Sequence, residues 1–509
     1  MSNKVIVKVG SLRGKLINCP KKVEYQINKA CSYYAENYQF ADAYIDGKWD
    51  GKIKKYSLSY HTFPSGLMYR ICQILKNNKL LYEIQDSRKT FEWTEARVIK
   101  NLKHFKFQLR PYQVDGLIRG LNVPYMVYWW ATSAGKTVQF AATITALKMD
   151  RFRRTLIVVS TKDLARQHRE ELGSMLRMKI GLIEEGRFEP EDVTVAVINT
   201  LWNKSVQNKN RTVINYLNKI EHLILDEAHH TIDSKMFKQT VRKCSGTIAR
   251  HGFSGTPFNL STSDLELESV TGPPLSRVTM SFLIKEGFVS RPEITMFKYD
   301  SPNLSKGLMY ASAYAKGIVD SEIRNEIVSA VALHEYNHID EPTILIIIRI
   351  IRHGKILKDL LEDAGIYPDD IRFIHGSTPD ETRMMVKNEF KNKDVRVVIA
   401  SSIWVEGIDI PTVGVLISAD GGGGKEITDT KGIRSVIQKT GRVIRKPILP
   451  GEIDVRTDIE NIVRIYDMVD SCEKNLLRHS INRFLTFKME PEFRVEEVKY
   501  ASWKSKNAT

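Results

Sequence analysis

"YMVYWWATSAGKTVQFAATITALK", Tyr125 to Lys148, changes its period halfway along. Tyr125 to Ala131 is an unbroken apolar and aromatic run, the pattern of a buried strand, whereas Lys136 to Lys148 is built of helix-forming residues. Thr132, Ser133, Ala134 and Gly135 make the turn between them. A strand, a tight turn and a helix gather backbone N–H groups and a helix N-terminus around an anion. Gly135 lets the main chain approach a phosphate, Lys136 reaches the β and γ phosphates, and Thr137 offers a hydroxyl to Mg²⁺. Trp130, however, stands where the pattern G-x-x-x-x-G-K-[ST] has its first glycine.

The rhythm of apolar strand, small-residue turn and amphipathic helix continues beyond this stretch, which predicts doubly wound α/β domains with parallel sheets. Further strands are expected at Thr155–Ser160, Val193–Asn199, His222–Leu225 and Gly252–Ser254. A second set is expected at Thr343–Ile348, Ile371–His375, Val395–Ser401 and Val413–Ser418. Two sheets follow, divided near "KEGFVSRPEIT", Lys285 to Thr295, where Gly287 and Pro292 interrupt the pattern. The first hundred residues are rich in Lys and Tyr and carry the turn pairs Asp46-Gly47 and Asp50-Gly51, as a small α+β module would. The expected organisation is a basic module over residues 1–97, an ATP-binding domain over 98–288, a second domain with a C-terminal helical segment over 289–488, and a tail over 489–509.

Length and composition bound the function. A chain of 509 residues is too long for one core. The longest greasy run, "ILIIIRII" at Ile344–Ile351, is cut by Arg349 and falls far short of the ~20 residues of a membrane span. The start "MSNKVIVKVG" has no sustained apolar core, so no secretion signal is expected. Five scattered cysteines form no C-x-x-C pair, which indicates neither a zinc site nor a disulfide framework and suits a reducing cytoplasm. Met1 to Arg110 holds 21 Lys and Arg against 9 Asp and Glu, placing +12 of the formal +16 there. Nucleic acid is the first partner such charge suggests, and a solvated, solubilising face is the alternative.

Ninety residues beyond the loop comes "HLILDEAHH", an apolar strand that delivers Asp226 and Glu227 at its C-terminal end. One carboxylate there holds Mg²⁺ and its neighbour polarises an attacking water. Arg442 and Arg445, three apart and so on neighbouring positions of a helix face, suit the charge that develops on a γ-phosphate.

In this order the motifs resemble superfamily 2 helicases and translocases whose second motif reads DEAH. That family commonly has a small residue where Trp130 stands and a glycine where Ser133 stands. The resemblance implies two RecA-like domains in tandem, ATP and Mg²⁺ as cofactors, and Thr137 and Asp226 as the metal-holding pair. In "LRPYQ", Arg110 and Gln113 are implied to read the adenine, and His229 completes the DEAH set. "VVSTKDLARQ" (Val158–Gln167) and "VINTLW" (Val197–Trp202) resemble strand-contacting motifs, with Thr161, Lys162 and Thr200 as contacts. "SGTP" resembles the coupling motif, through Ser254 and Thr256. "VVIASSIWVEGIDIP" (Val397–Pro411) brings Ser401 for the strand and Gly407 and Asp409 for the nucleotide, and "QKTGRVIRK" (Gln438–Lys446) brings Gln438, Arg442 and Arg445. Arg349 is a further strand contact.

Three features narrow the resemblance to UvsW-type phage recombination helicases: "YQFADAYIDGKWDGKIKKY" (Tyr38–Tyr56), "HGK" (His353–Lys355), and "IYDMVD" followed by "LLRHSINRFLTF" (Leu476–Phe487). It implies an ATP-driven motor on branched or partly single-stranded DNA: Holliday junctions, stalled forks, displacement loops and RNA–DNA hybrids. It implies 3'-5' movement, in the cytoplasm of a bacterial host. Lys48, Trp49, Lys52, Lys54 and Lys55, with Tyr44, then grip duplex backbone or stack on an opened base; the alternative puts the aromatics in a small core and the lysines in solvent. Rival readings are an RNA helicase, a restriction-type motor subunit, and a binding scaffold that uses ATP only as a switch.

Overall fold

The computed structural model describes residues 4–507 except 36, 89–91, 150–153, 231–233, 256–263, 306, 339–342, 402–412 and 423–461. The chain divides into two compact units, Met1–Val278 and Thr279–Thr509.

The first unit opens with a four-stranded sheet in which β1 (Val5–Val9) pairs antiparallel with β2 (Arg13–Ile17). Strand β3 (Ser32–Tyr34) pairs antiparallel with β4 (Lys52–Lys54) as a separate ribbon. Strands β5 (Thr62–Pro64) and β6 (Tyr82–Asp86) complete the first sheet in the order β5-β2-β1-β6. Val5, Val7 and Val9 alternate inward into a core with Leu16, Ile27, Phe63 and Ile71. Leu265, from the helix Asp264–Thr271, belongs to that same core. Around it, Lys55 Nζ lies 2.6 Å from Glu266 and Arg70 Nε donates to Glu268 at 3.0 Å. Gly66 sits so close that a Cβ would stand 2.1 Å from the Glu268 carbonyl oxygen. The module therefore docks against the domain that follows rather than forming a compact unit alone.

That domain is an eight-stranded sheet: β7 (Tyr125–Trp130), β8 (Thr155–Val159), β9 (Gly181–Glu184), β10 (Arg187–Glu189), β11 (Val193–Val197), β12 (His222–Leu225), β13 (Ala249–Ser254) and β14 (Pro274–Val278). Their order is β10-β9-β11-β8-β12-β13-β7-β14, with every neighbour parallel except β10 beside β9. Strands β8, β11 and β12 are buried at every position, because helices cover both faces of a parallel sheet. The order matters for chemistry. Strands β12, β13 and β7 are neighbours, so the chain segments leaving their C-terminal ends emerge side by side.

The second unit is a seven-stranded, all-parallel sheet of β15 (Arg291–Lys298), β16 (Ile344–Ile348), β17 (Ile371–Ile374), β18 (Val397–Ser401), β19 (Val415–Ser418), β20 (Ile462–Val469) and β21 (Arg494–Lys499), in the order β17-β18-β16-β19-β20-β15-β21. Its core gathers Ile344, Ile346, Ile348, Val397, Ile399 and Ile417.

The α/β fold with two parallel-sheet domains is as expected, with two differences at the boundaries. The division falls after Val278, ahead of the expected break at 288, because the helix Met280–Lys285 is tied to the C-terminal segment by Ser281 donating to Glu490 at 2.8 Å and by Lys285 pairing with Glu492 at 3.4 Å. Residues 489–509, expected as a tail, instead supply β21, which pairs with β15, and a helix over Tyr500–Asn507. Strand β21, RVEEVK, lies at the sheet edge and is largely exposed, so its sequence lacks the apolar run that marks a central strand.

Candidate active site

The turn after β7 and the helix Lys136–Met149 form the loop the sequence suggests. Gly135 has φ +74 and Ser133 φ +70, so two residues in the left-handed region curl the main chain back on itself. Trp130 is a core residue: its Nε1 donates to Ser276 Oγ at 2.8 Å, and its ring meets Tyr112 and Tyr128 edge-on. A Cβ on Gly116 would stand 2.6 Å from that indole, which explains the glycine there. The carbonyl of Ala134 accepts from Tyr112 Oη at 3.0 Å and from Gln113 Nε2 at 3.3 Å. Gln113 is thus buried and turned onto the loop, while its Oε1 accepts from the Arg110 backbone N–H at 2.9 Å.

The DEAH segment follows β12. Asp226 is buried, and its Oδ2 lies 2.9 Å from His168 Nε2. Burial works against the charge of Asp226, but the His168 hydrogen bond and charge, with Lys136 nearby, hold its carboxyl down at about 2. His168 moves the other way: burial opposes its protonation and Asp226 outweighs that, raising it. Glu227, at φ +45, brings Oε1 to 3.3 Å from Lys136 Nζ. Its Oε2 lies 3.3 Å from His229 Nδ1, and that same nitrogen lies 2.7 Å from Ser254 Oγ at the end of β13. A continuous line of side chains, Lys136, Glu227, His229 and Ser254, so runs across the tips of three adjacent strands.

The ionised Asp226 and the half-buried Thr137 hydroxyl are hard oxygen donors, the kind Mg²⁺ takes when phosphate and water complete its shell. Among the described residues, no three His, Cys, Asp or Glu are grouped to hold a metal by themselves.

The remaining candidates fall elsewhere. Thr161 caps the helix Lys162–Leu176, accepting from Leu164 N at 3.3 Å, and Lys162 pairs with Glu185 at 2.5 Å on the surface. Thr200 is buried, in the helix Ile198–Trp202. Arg349 is exposed beyond β16, its guanidinium 5.5 Å from the Tyr314 ring, and Ser401 is buried at the end of β18. In the N-terminal module Lys48 pairs with Asp46 and Lys54 with Asp50, both at 2.8 Å on the surface. Lys52 lies 4.8 Å over the Tyr34 ring, and Trp49 Nε1 donates to the Lys52 carbonyl at 2.9 Å. Lys55 is turned inward to Glu266, at 2.6 Å. Tyr44 meets Tyr38 edge-on at the surface, outside the module's core. Thr256, Gly407, Asp409, Gln438, Arg442 and Arg445 lie outside the described residues.

His168 and Tyr112 are the site residues that sequence reading passed over. His168 falls on the apolar stripe of its helix with Ala165 and Leu172, and a histidine on such a stripe is the signal that was there to be read.

Two family models match parts of the chain. Residues 106–259 match the family model described as type III restriction enzyme, res subunit, and residues 326–447 match the helicase conserved C-terminal domain. The ATP-dependent DNA helicase uvsW of Enterobacteria phage T4 is 22% identical over 476 residues, covering 90% of this chain and 88% of that protein. The putative DNA 3'-5' helicase Rad25 of Haloarcula marismortui is 26% identical over 354 residues, covering 67% of this chain; the match spans only 51% of that protein. Among solved structures, the DUF1998 helicase MrfA bound to DNA shares the fold with a TM-score of 0.56 at 14% identity, covering 78% of this chain and 55% of that one. No helix among the described residues is long and apolar enough to cross a membrane.

Proposed function

The chain belongs to the superfamily 2 helicases, and we propose that it is a DEAH-type, ATP-driven DNA motor that remodels branched DNA in recombination, repair and replication. The observation that carries this reading is the line from Lys136 through Glu227 and His229 to Ser254. In it, Lys136 and the backbone N–H groups from Thr132 to Gly135 hold the β and γ phosphates of ATP. Thr137 and Asp226 hold Mg²⁺, which when bound neutralises charge on the phosphates. Glu227 orients the attacking water, and His229 and Ser254 pass its state on to Thr256 and the strand contacts. Arg110 and Gln113 read the adenine, Gln113 by exchanging the Ala134 carbonyl for the base. Gly407, Asp409 and Gln438 are proposed to contact the nucleotide, and Arg442 and Arg445 to supply positive charge for the γ-phosphate.

For the strand, Thr161, Lys162, Arg349 and Ser401 are the proposed contacts, with Lys48, Trp49, Lys52 and Lys54 on the accessory module. Thr200 is a further proposed strand contact. The direction is 3'-5', as in the name of the archaeal relative, and junctions, forks, displacement loops and RNA–DNA hybrids are the substrates. Hydrolysis measured with duplex, single-stranded and four-way-junction DNA and with RNA tests the reading. Junction DNA should stimulate most, and stimulation by RNA alone rejects it. Regression of synthetic forks then distinguishes a branch-remodelling motor from a simple unwinding enzyme.

A further inference from the structure

The first unit holds a groove of about 690 Å³ where the N-terminal module meets its neighbouring domain, within the size of small-ligand sites. Arg13, Lys54 and Lys55 line it from the module, and Lys238, Arg242 and Arg250 line it from the other side. Among the described residues that line it, Glu266 is the one carboxylate. That carboxylate is already engaged, by Lys55 at 2.6 Å, by Lys238 at 3.7 Å and by the Tyr33 hydroxyl. Arg250 is buried; it donates to Thr247 Oγ1 at 3.0 Å and to the carbonyls of Val270 and Cys244 at 3.3 Å, and has no acidic partner among the described residues. Arg13 and Arg242 are exposed and likewise have none.

Lys55 and Lys238 share Glu266 and Lys54 pairs with Asp50 outside the lining, so Arg13, Arg242 and Arg250 are the charges left for an anion to offset, and a buried guanidinium without a counter-charge is costly until one arrives. Three of the lining cations, Arg13, Lys54 and Arg242, are exposed, so the groove is open to solvent as the passage of a long chain requires. Partly exposed Leu12, Leu58 and Pro64 add apolar lining for sugar or base edges. We propose that this groove seats the phosphates of a DNA strand, as a second nucleic-acid site apart from the motor's strand contacts. The proposal rests on the DNA-motor reading above. It adds a site at the seam to the ribbon contacts proposed above, with Lys54 common to both.

The test uses the full chain and the double variant Arg13→Glu/Arg242→Glu, both changes at exposed positions. Affinity for a four-way junction is read by fluorescence anisotropy over a salt series. Kd should rise about tenfold or more near 0.1 M salt, and the slope of log Kd against log salt should fall by about 2, one per cation removed. Hydrolysis without DNA and the thermal midpoint should not change, and Arg13→Lys/Arg242→Lys should bind as the parent does. An unchanged Kd and slope overturns the groove. Inorganic triphosphate serves as the second probe: if it binds the parent but not the variant, and the junction does not displace it, the groove holds a free polyphosphate and the proposal fails. A parent chain that binds no DNA and is stimulated by none sinks the motor reading itself, an outcome separable from any behaviour of the variant.

Discussion

Each of the two parallel sheets carries a charge cluster near the C-terminal ends of its strands, and the two clusters are built to opposite specifications. In the first unit Lys136 and Glu227 stand 3.3 Å apart with side chains 13% and 18% exposed. Glu227 Oε2 has no hydrogen-bond partner among the described residues, although His229 lies close. In the second unit Arg324 and Asp470 are fully buried with Nε and Oδ1 2.7 Å apart, and Arg483 holds Asp467 at 2.8 Å. Two arginines there balance two aspartates, Tyr299 adds a hydroxyl to Asp470 at 2.9 Å, and Arg483 also binds the carbonyls of Gly421 and Gly422. Those glycines are the last described residues before the stretch that carries Gln438, Arg442 and Arg445. The difference separates two uses of charge. A cluster that fixes structure is dry and charge-balanced within itself, even where Arg324 Nη2 and Asp470 Oδ2 lack a hydrogen-bond partner among the described residues, whereas one that meets a ligand is wetter.

Arg324→Met breaks that comparison hardest. It leaves Asp470 buried without its closest cation, at a cost of about 3–5 kcal/mol in urea unfolding. The pair Arg324→Met/Asp470→Leu should recover most of the loss, because an apolar pair needs no counter-charge. A single variant that costs less than about 1 kcal/mol would remove the structural role. Glu227→Gln is its opposite: hydrolysis should fall about 10²- to 10⁴-fold while ATP affinity and the thermal midpoint hold. Normal turnover rejects Glu227 as the group that orients water, and a stability loss as large as that of Arg324→Met erases the distinction between the clusters. His168→Asn is expected to be milder. By loosening Asp226 it should raise the Mg²⁺ concentration needed for tight nucleotide binding about 10- to 100-fold, read from a fluorescent ATP analogue. An unaltered Mg²⁺ requirement would make His168 a packing residue only.

How much of this was legible in the chain depends on the range of the contacts. The phosphate loop and the DEAH strand are local: an apolar run, a turn and a helix lie within two dozen residues, and the period changes where the chemistry begins. Their adjacency follows from the strand order, which parallel α/β rhythm restricts but does not spell out. His168 was missed because its partner lies 58 residues away and its own surroundings read as a core face. The docking of Lys55 and Arg70 onto Glu266 and Glu268 spans about two hundred residues of chain, so no local period announces it, and the lysine-rich ribbon was read as a free surface. The hydrogen bond from Gln113 to the Ala134 carbonyl spans 21 residues, and no local pattern announces it. Strand β21 was invisible for the opposite reason: at an edge, its alternate residues need not be apolar.

Backbone strain sharpens the comparison at its smallest scale. The first cluster places two non-glycine residues in the left-handed region, Ser133 at φ +70 and Glu227 at φ +45, while beside the second cluster the left-handed position at φ +53 belongs to Gly421. A left-handed side chain costs about 1–2 kcal/mol, which Ser133→Gly would relieve. Against that, a glycine loses more freedom on folding, worth about 0.5–1 kcal/mol in the other direction. The net gain expected is therefore between zero and about 1.5 kcal/mol, a rise of a few degrees at most in the thermal midpoint. If the strained loop also sets the pace of the phosphate site, the same change should alter turnover while leaving the second unit's unfolding untouched. A clear drop in midpoint instead would mean that the serine side chain holds the loop more firmly than its conformation strains it, and the strained residues of the first cluster would then be part of its scaffold.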